Sequence, residues 1–173
     1  MSPKLKYVDP RQPRSWFSRL YAAISAARPV RFVSAKIGWK IDPYLLHATG
    51  GRIGTGLVLP TAVLETRGAK SGVLRRSAVI YFHDSDRVTI IASKAGYARH
   101  PGWYHNLRAL PDVTLAGIPM TATVVSDPAE RERLWALADN VFAPFASYRR
   151  DAAKVGRTIP IVQLSPRSRE PDT

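Results

Sequence analysis

Cysteine is absent from the 173 residues, which excludes disulfides, thiolate-held metals, iron–sulfur clusters and a cysteine nucleophile. Acidic residues are scarce: 13 Asp and Glu stand against 26 Lys and Arg, a formal net charge of +13. Such a surface favours an anionic partner, whether nucleic acid, an acidic membrane or a polyanionic small molecule. No apolar run approaches the ~20 residues that span a bilayer, and Met1-Ser2-Pro3-Lys4-Leu5-Lys6 lacks a signal-peptide core, so a cytoplasmic location is expected. His47, His83, His100 and His105 include no pair at metal-binding helical spacing, and no metal site is expected. There is no Gly-x-Ser-x-Gly elbow, no Walker loop and no obvious acid/base carboxylate pair, so hydrolysis by triad or dyad has no support.

What is present is organised around Ser93-Lys94-Ala95-Gly96-Tyr97-Ala98-Arg99-His100-Pro101-Gly102-Trp103-Tyr104-His105-Asn106-Leu107. It follows Val88-Thr89-Ile90-Ile91-Ala92, a β-branched apolar run that reads as a buried strand. A hydroxyl, an ammonium, glycines, rings and an amide then come in quick succession. Ala95 and Gly96 allow close backbone approach to a planar ligand, and Trp103 and Tyr104 offer large faces beside it. The plain alternative is a glycine loop followed by a surface helix that uses Trp103 for packing.

Along the chain, residues 1–12 are polar and basic and are expected to be disordered. Pro13 opens a helical pattern with Trp16, Leu20, Ile24 and Ala27 on one face and Arg14, Arg19, Arg28 and Arg31 around it. Such a helix can lie on an anionic membrane at the inner face of the cell membrane, or pack on its own domain. A second helix runs from the cap Asp42 and Pro43 to Gly50-Gly51. Thr61 to Thr66, Arg75 to His83 and Arg87 to Ser93 read as strands, Val113 to Ala116 and Met120 to Val125 as a hairpin, and Ile159 to Ser165 as a last strand. Between them Asp127-Pro128-Ala129-Glu130 is a capping box opening a helix to about Phe142. Short strands, tight turns and one late helix predict a mainly β chain with flanking helices (α+β), an antiparallel sheet closing into a small barrel. The predicted divisions are 1–49, N-terminal tail and helices; 50–166, barrel; and 167–173, disordered tail.

Thr66-Arg67-Gly68-Ala69-Lys70-Ser71-Gly72, with Arg75 and Arg76, places glycines, a hydroxyl and four cations around one turn. This is a plausible anion cradle, and equally the make-up of a solvated basic hairpin. Gly50 to Gly56 has the wrong glycine order for a dinucleotide fingerprint. An anion-holding turn plus a ring-and-amide segment suits an elongated ligand with a planar head and an anionic tail, in which a cofactor carries the chemistry.

Gly68-Ala69-Lys70-Ser71-Gly72, then Ser93-Lys94-Ala95-Gly96, then His100 to Leu107, with Arg157-Thr158-Ile159-Pro160-Ile161 near the end, resemble the deazaflavin (F420)-dependent nitroreductase family of actinobacteria. The resemblance covers about Gly50 to Leu164 and implies a split β-barrel, FMN-binding-like, that binds coenzyme F420. By the same resemblance Lys70, Ser71, Gly72 and Arg75 hold the coenzyme's phosphate and oligoglutamate tail. Ile80, Tyr81, Ser93, Lys94, Ala95, Trp103, Tyr104 and Asn106 line its ring, Ser93 and Tyr148 assist catalysis, and Phe142, Phe145 and Tyr148 face the acceptor. The implied reaction is hydride transfer from reduced deazaflavin to a quinone, enone or other electron-poor acceptor.

Two departures matter. Ala69 stands where the family usually has Arg, so one tail contact is missing. Phe142 and Phe145 stand where the best-known branch has tyrosines, which puts nitro-group reduction in doubt and favours flatter, more apolar acceptors. The alternative activity is non-enzymatic storage or carriage of the deazaflavin or an apolar ligand. Nucleic acid is not expected, because the aromatic residues gather in one segment instead of interleaving with basic residues along a strand platform. The oligomeric state is left open.

Overall fold

In a computed structural model the described residues are 5–12 and 59–167. The two N-terminal helices expected between Pro13 and Gly51 lie outside them, as do residues 168–173 of the tail. Six strands form a closed antiparallel barrel: β1 (Thr61–Arg67), β2 (Leu74–Asp84), β3 (Arg87–Ile91), β4 (Asp112–Leu115), β5 (Ile118–Val124) and β6 (Ile161–Pro166), in the order β1-β2-β3-β6-β5-β4. Three helices lie outside: α1 (Gly102–Ala109), α2 (Pro128–Val141) and α3 (Pro144–Lys154).

Alternation along the strands separates two cores. Ala62, Leu64, Val79, Tyr81, Val88, Ile90, Val113, Leu115, Met120, Val162 and Leu164 point into the barrel. Their neighbours Phe82, Ile91 and Ile161 point outward and are covered by Leu134, Ala138 and Val141 of α2 and Phe145, Tyr148 and Ala152 of α3. Closure gives every strand two neighbours somewhere along its length, which removes the free edges of an open sheet.

The anticipated strands are all present, with ends shifted by one or two residues. The expected single late helix is two, however. Asp127 caps α2 by accepting the Glu130 N–H at 2.7 Å. The chain then stops at Phe142 and restarts at Pro144, whose fixed φ suits a first helical turn.

Residues 5–12, expected to be disordered, instead pack on β2 as a strap. His83 Nδ1 accepts the Val8 N–H at 3.1 Å and the His83 N–H donates to the Val8 carbonyl at 2.8 Å. The Tyr81 hydroxyl donates to the Lys6 carbonyl at 2.9 Å, and Pro10 is fully buried. Asp84, at the end of β2, is buried and receives Arg133 of α2 in a two-pronged contact, with Arg11 of the strap at 3.5 Å. The Arg133 guanidinium holds the Asp84 carboxyl below the ordinary carboxylate range. One carboxylate thereby joins strap, barrel and α2.

Candidate functional site

β2 pairs with β1 from Leu74 to Ile80 but with β3 only from Tyr81 to Asp84. Its first part therefore has a strand on one side only among the described residues, leaving a flank roughly 20 Å long at ~3.3 Å per residue. The β1–β2 turn stands at the outer end of this flank. Since Tyr81 pairs with Ile90, the segment that leaves β3 at Ile91 begins beside Ile80, at the inner end.

The outer turn is built by backbone bonds: the Gly68 N–H donates to the Val73 carbonyl at 2.9 Å and the Gly72 N–H to the Gly68 carbonyl at 2.8 Å. Gly72 has φ +65°, and a Cβ added there would meet nothing within 4 Å. Lys70, Ser71, Gly72 and Arg75 are all exposed. Arg76 is paired with Glu65 at 2.7 Å, whereas Lys70 and Arg75 have no acidic partner among the described residues. Two uncompensated cations and an open backbone suit a polyanion.

The inner turn is strained. Ser93 is right-handed (φ −68°, ψ −44°), and Lys94 (φ +44°), Ala95 (φ +51°) and Gly96 (φ +78°) are left-handed in succession. Left-handed non-glycine residues cost on the order of 1–3 kcal/mol each and persist only where the surroundings enforce them. Gly96 lies against α3, where a Cβ would come 2.9 Å from the Tyr148 carbonyl oxygen and 3.1 Å from the Asp151 Cβ. The structure thus brings the Ser93–Gly96 turn and Tyr148 together.

Asn106 couples the two turns through α1. Its amide donates to Thr66 Oγ1 at 3.0 Å and its Oδ1 accepts the Ala69 N–H at 3.1 Å. Asn106 was expected to line the ring, and the structure shows its side chain bracing the outer turn.

Other expected residues fall differently. Trp103 and Tyr104 were expected to present their faces to the ligand, but they are 8% and 7% exposed and join Leu107 in the barrel core. The helix starts at Gly102, which turns positions 103, 104 and 107 toward β1. Ile80 and Tyr81 point to opposite faces, Tyr81 inward and Ile80 toward the helix-side core. Burial raises the Tyr81 phenol above its usual range. Phe142 and Phe145 are buried edge-to-face at 5.1 Å, with Tyr148 at 6.1 and 6.3 Å from them.

Arg157, to which the sequence assigned no role, is 7% exposed just before β6. Its Nε donates to His100 Nδ1 at 3.0 Å, and its Nη1 to the Ser93 carbonyl at 3.0 Å and the Tyr97 carbonyl at 2.5 Å. Its Nη2 contacts the Ala92 carbonyl. Burial lowers the pKa values of both Arg157 and His100. The resemblance includes the run that Arg157 opens but gives this arginine no role, and its partners lie more than fifty positions away.

An open depression of about 460 Å³ beside α2, lined by Arg131, Glu132, Trp135 and Arg149 among others, contains none of these residues. The described residues hold no group of His, Asp and Glu suited to a metal ion.

Residues 40–166 match the F420H(2)-dependent quinone reductase family. The F420H(2)-dependent quinone reductase Rv1261c of Mycobacterium tuberculosis (strain ATCC 25618 / H37Rv) is 35% identical over 136 residues, which cover 74% of this chain and 89% of that protein. Among solved structures, an F420-H2 dependent reductase, FDR-A, is 31% identical with a TM-score of 0.53, covering 61% of this chain and 94% of its own. Another, described as a domain-swapped dimer, is 29% identical with a TM-score of 0.55 and covers 69% and 92%.

Proposed function

The chain belongs to the F420H(2)-dependent quinone reductase family, and from that premise we propose that it reduces a quinone, or a conjugated enone of similar shape, with deazaflavin held along the open flank of β2. The observation that carries this reading is the placement of an exposed, uncompensated Lys70/Arg75 turn at one end of that flank and the left-handed Ser93–Gly96 turn at the other. The residues fit the group: an anionic tail matches the outer turn, and a flat ring matches the close backbone of the inner one. When bound, the reduced coenzyme supplies a hydride, which together with one proton converts a quinone to a hydroquinone.

The protein's own work is binding and orientation. Lys70, Ser71, Gly72 and Arg75 grip the tail, and Ser93, Lys94 and Ala95 bound the ring. To Tyr148, whose backbone abuts Gly96 and whose buried ring packs on Phe142 and Phe145, we assign the role of orienting the acceptor and passing it a proton. Trp103 and Tyr104 support the site from within the barrel. Phe142 and Phe145 set the position of Tyr148.

The test is an anaerobic assay of reduced coenzyme oxidation with a naphthoquinone, a cyclic enone and a nitroimidazole as acceptors, against a protein-free blank. Saturable, quinone-dependent oxidation is expected. Tight coenzyme binding without turnover on any acceptor would instead identify a deazaflavin carrier. No helix among the described residues is long and apolar enough to cross a membrane. Docking on an anionic lipid surface through Trp16, Leu20, Ile24 and Ala27 is a proposal that vesicle co-sedimentation tests.

A further inference from the structure

Lys94 and Ala95 hold left-handed conformations that neither residue type favours, and no side-chain hydrogen bond caps the turn. What surrounds it is Arg157. The guanidinium donates to the carbonyls of Ala92, Ser93 and Tyr97 through its Nη atoms, and its Nε–H goes to His100 Nδ1 at 3.0 Å. Arg157 makes no ion pair with an acidic residue among the described residues, so these carbonyl dipoles and one imidazole solvate a buried cation. Lysine has neither the fork nor the reach in two directions to replace it.

In a trans peptide the N–H lies opposite the carbonyl. With the Ser93 and Tyr97 carbonyls drawn onto Arg157, the N–H groups of Lys94 and Ala98 are turned away from it. The Ser93–Lys94 pair, right-handed then left-handed, also has the conformation of a backbone nest, in which successive N–H groups converge on an acceptor.

We propose that Arg157 is a positioning residue of the coenzyme site: it fixes the strained Ser93–Tyr97 turn so that the Lys94 and Ala95 N–H groups are presented, preformed, to an electron-rich edge of the deazaflavin ring. His100, held unprotonated at Nδ1 by the bond from Arg157 Nε, completes the clamp. This inference rests on the deazaflavin reading above.

The test uses the full chain. Arg157→Lys is compared with wild type by the Lys94 and Ala95 amide shifts and the His100 imidazole 15N shifts in coenzyme-free protein, and then by coenzyme titration and the split between KM and kcat. The variant is expected to remain folded, to move all these resonances, and to raise the coenzyme Kd at least tenfold. Adding Ala95→Gly, which accepts a left-handed φ without a clamp, is expected to recover part of that loss. A folded Arg157→Lys with unchanged Lys94 and Ala95 resonances and unchanged Kd would overturn the proposal. Should Arg157→Lys not fold, His100→Leu and His100→Gln decide. Leu, which leaves Arg157 Nε without an acceptor, is expected to move the Lys94 and Ala95 amides and raise Kd at least fivefold, and Gln to restore both to within twofold. Leu behaving like Gln and wild type would equally overturn it. Wild type that binds no coenzyme but loses its turn resonances in Arg157→Lys would defeat the functional reading while leaving the clamp standing.

Discussion

Asn106 on α1 donates its side-chain amide to the buried Thr66 Oγ1 at 3.0 Å, tying the helix that follows the inner turn to the strand that leads into the outer one. Asn106→Leu removes this bond and the one from the Ala69 N–H, leaving Thr66 Oγ1 buried and unpaired. A stability loss of about 1–3 kcal/mol is expected in urea unfolding, together with weaker coenzyme binding. An unchanged midpoint would mean that the brace contributes nothing.

Lys70 and Arg75 are exposed and free of acidic partners among the described residues, so their contribution belongs to the ligand and not to the fold. Lys70→Ala is expected to leave thermal stability unchanged and to weaken coenzyme binding by about tenfold, or ~1.4 kcal/mol, at low salt. The difference should shrink as salt rises, because both partners are solvated. Isothermal titration at two ionic strengths checks this.

Gly96 has φ +78° and sits where a Cβ would lie 2.9 Å from the Tyr148 carbonyl oxygen. Backbone cannot yield as a flexible side chain does, so Gly96→Ala should push the inner turn from α3. The expected cost is about 2–4 kcal/mol, with quinone turnover falling more than coenzyme affinity. Equal losses in both would place the acceptor elsewhere.

His83 Nδ1 accepts the Val8 N–H, which requires it to be unprotonated, and burial lowers its pKa. A folded-state value below the unfolded one means that the unfolded chain binds the proton more readily. The contribution of His83 is therefore complete above the ordinary value of about 6.5 and is lost as pH falls through the lowered one. His100 acts in the same direction. Asp84 and Glu130, lowered chiefly by hydrogen bonds from Arg133, fail only at more acidic pH. The melting temperature should thus drop between pH 7 and 5, and less steeply in His83→Gln. A flat wild-type profile would remove the strap from the account.

Local pattern was enough for the strands and turns, because β-branched alternation and Asp84-Ser85-Asp86 or Gly68–Gly72 punctuation write them directly into the chain. It was also enough for α2, through Asp127 and Pro128. The start of α3 was equally written, with Pro144 at the first turn and Phe145, Tyr148 and Ala152 at helical spacing, although the sequence reading ends its late helix at about Phe142. The strap was not legible: Val8 and Arg11 are held by His83 and Asp84, far along the chain, and show no periodicity of their own. Within the site, residue types named the two turns but not their division of labour. Trp103 and Tyr104 carry the chemistry of a stacking surface and the geometry of a core, and only the phase of α1 decides between these.

The central claim is that one ligand spans both turns. Backbone amide shifts followed while the coenzyme is titrated into labelled protein test it most directly. The account predicts that the Lys70–Gly72 and Ser93–Gly96 amides move together, with one Kd and one equivalent, and that a deazaflavin lacking both the phosphate and the oligoglutamate tail leaves the first group still. Movement of only one group, or two separate dissociation constants, would contradict it.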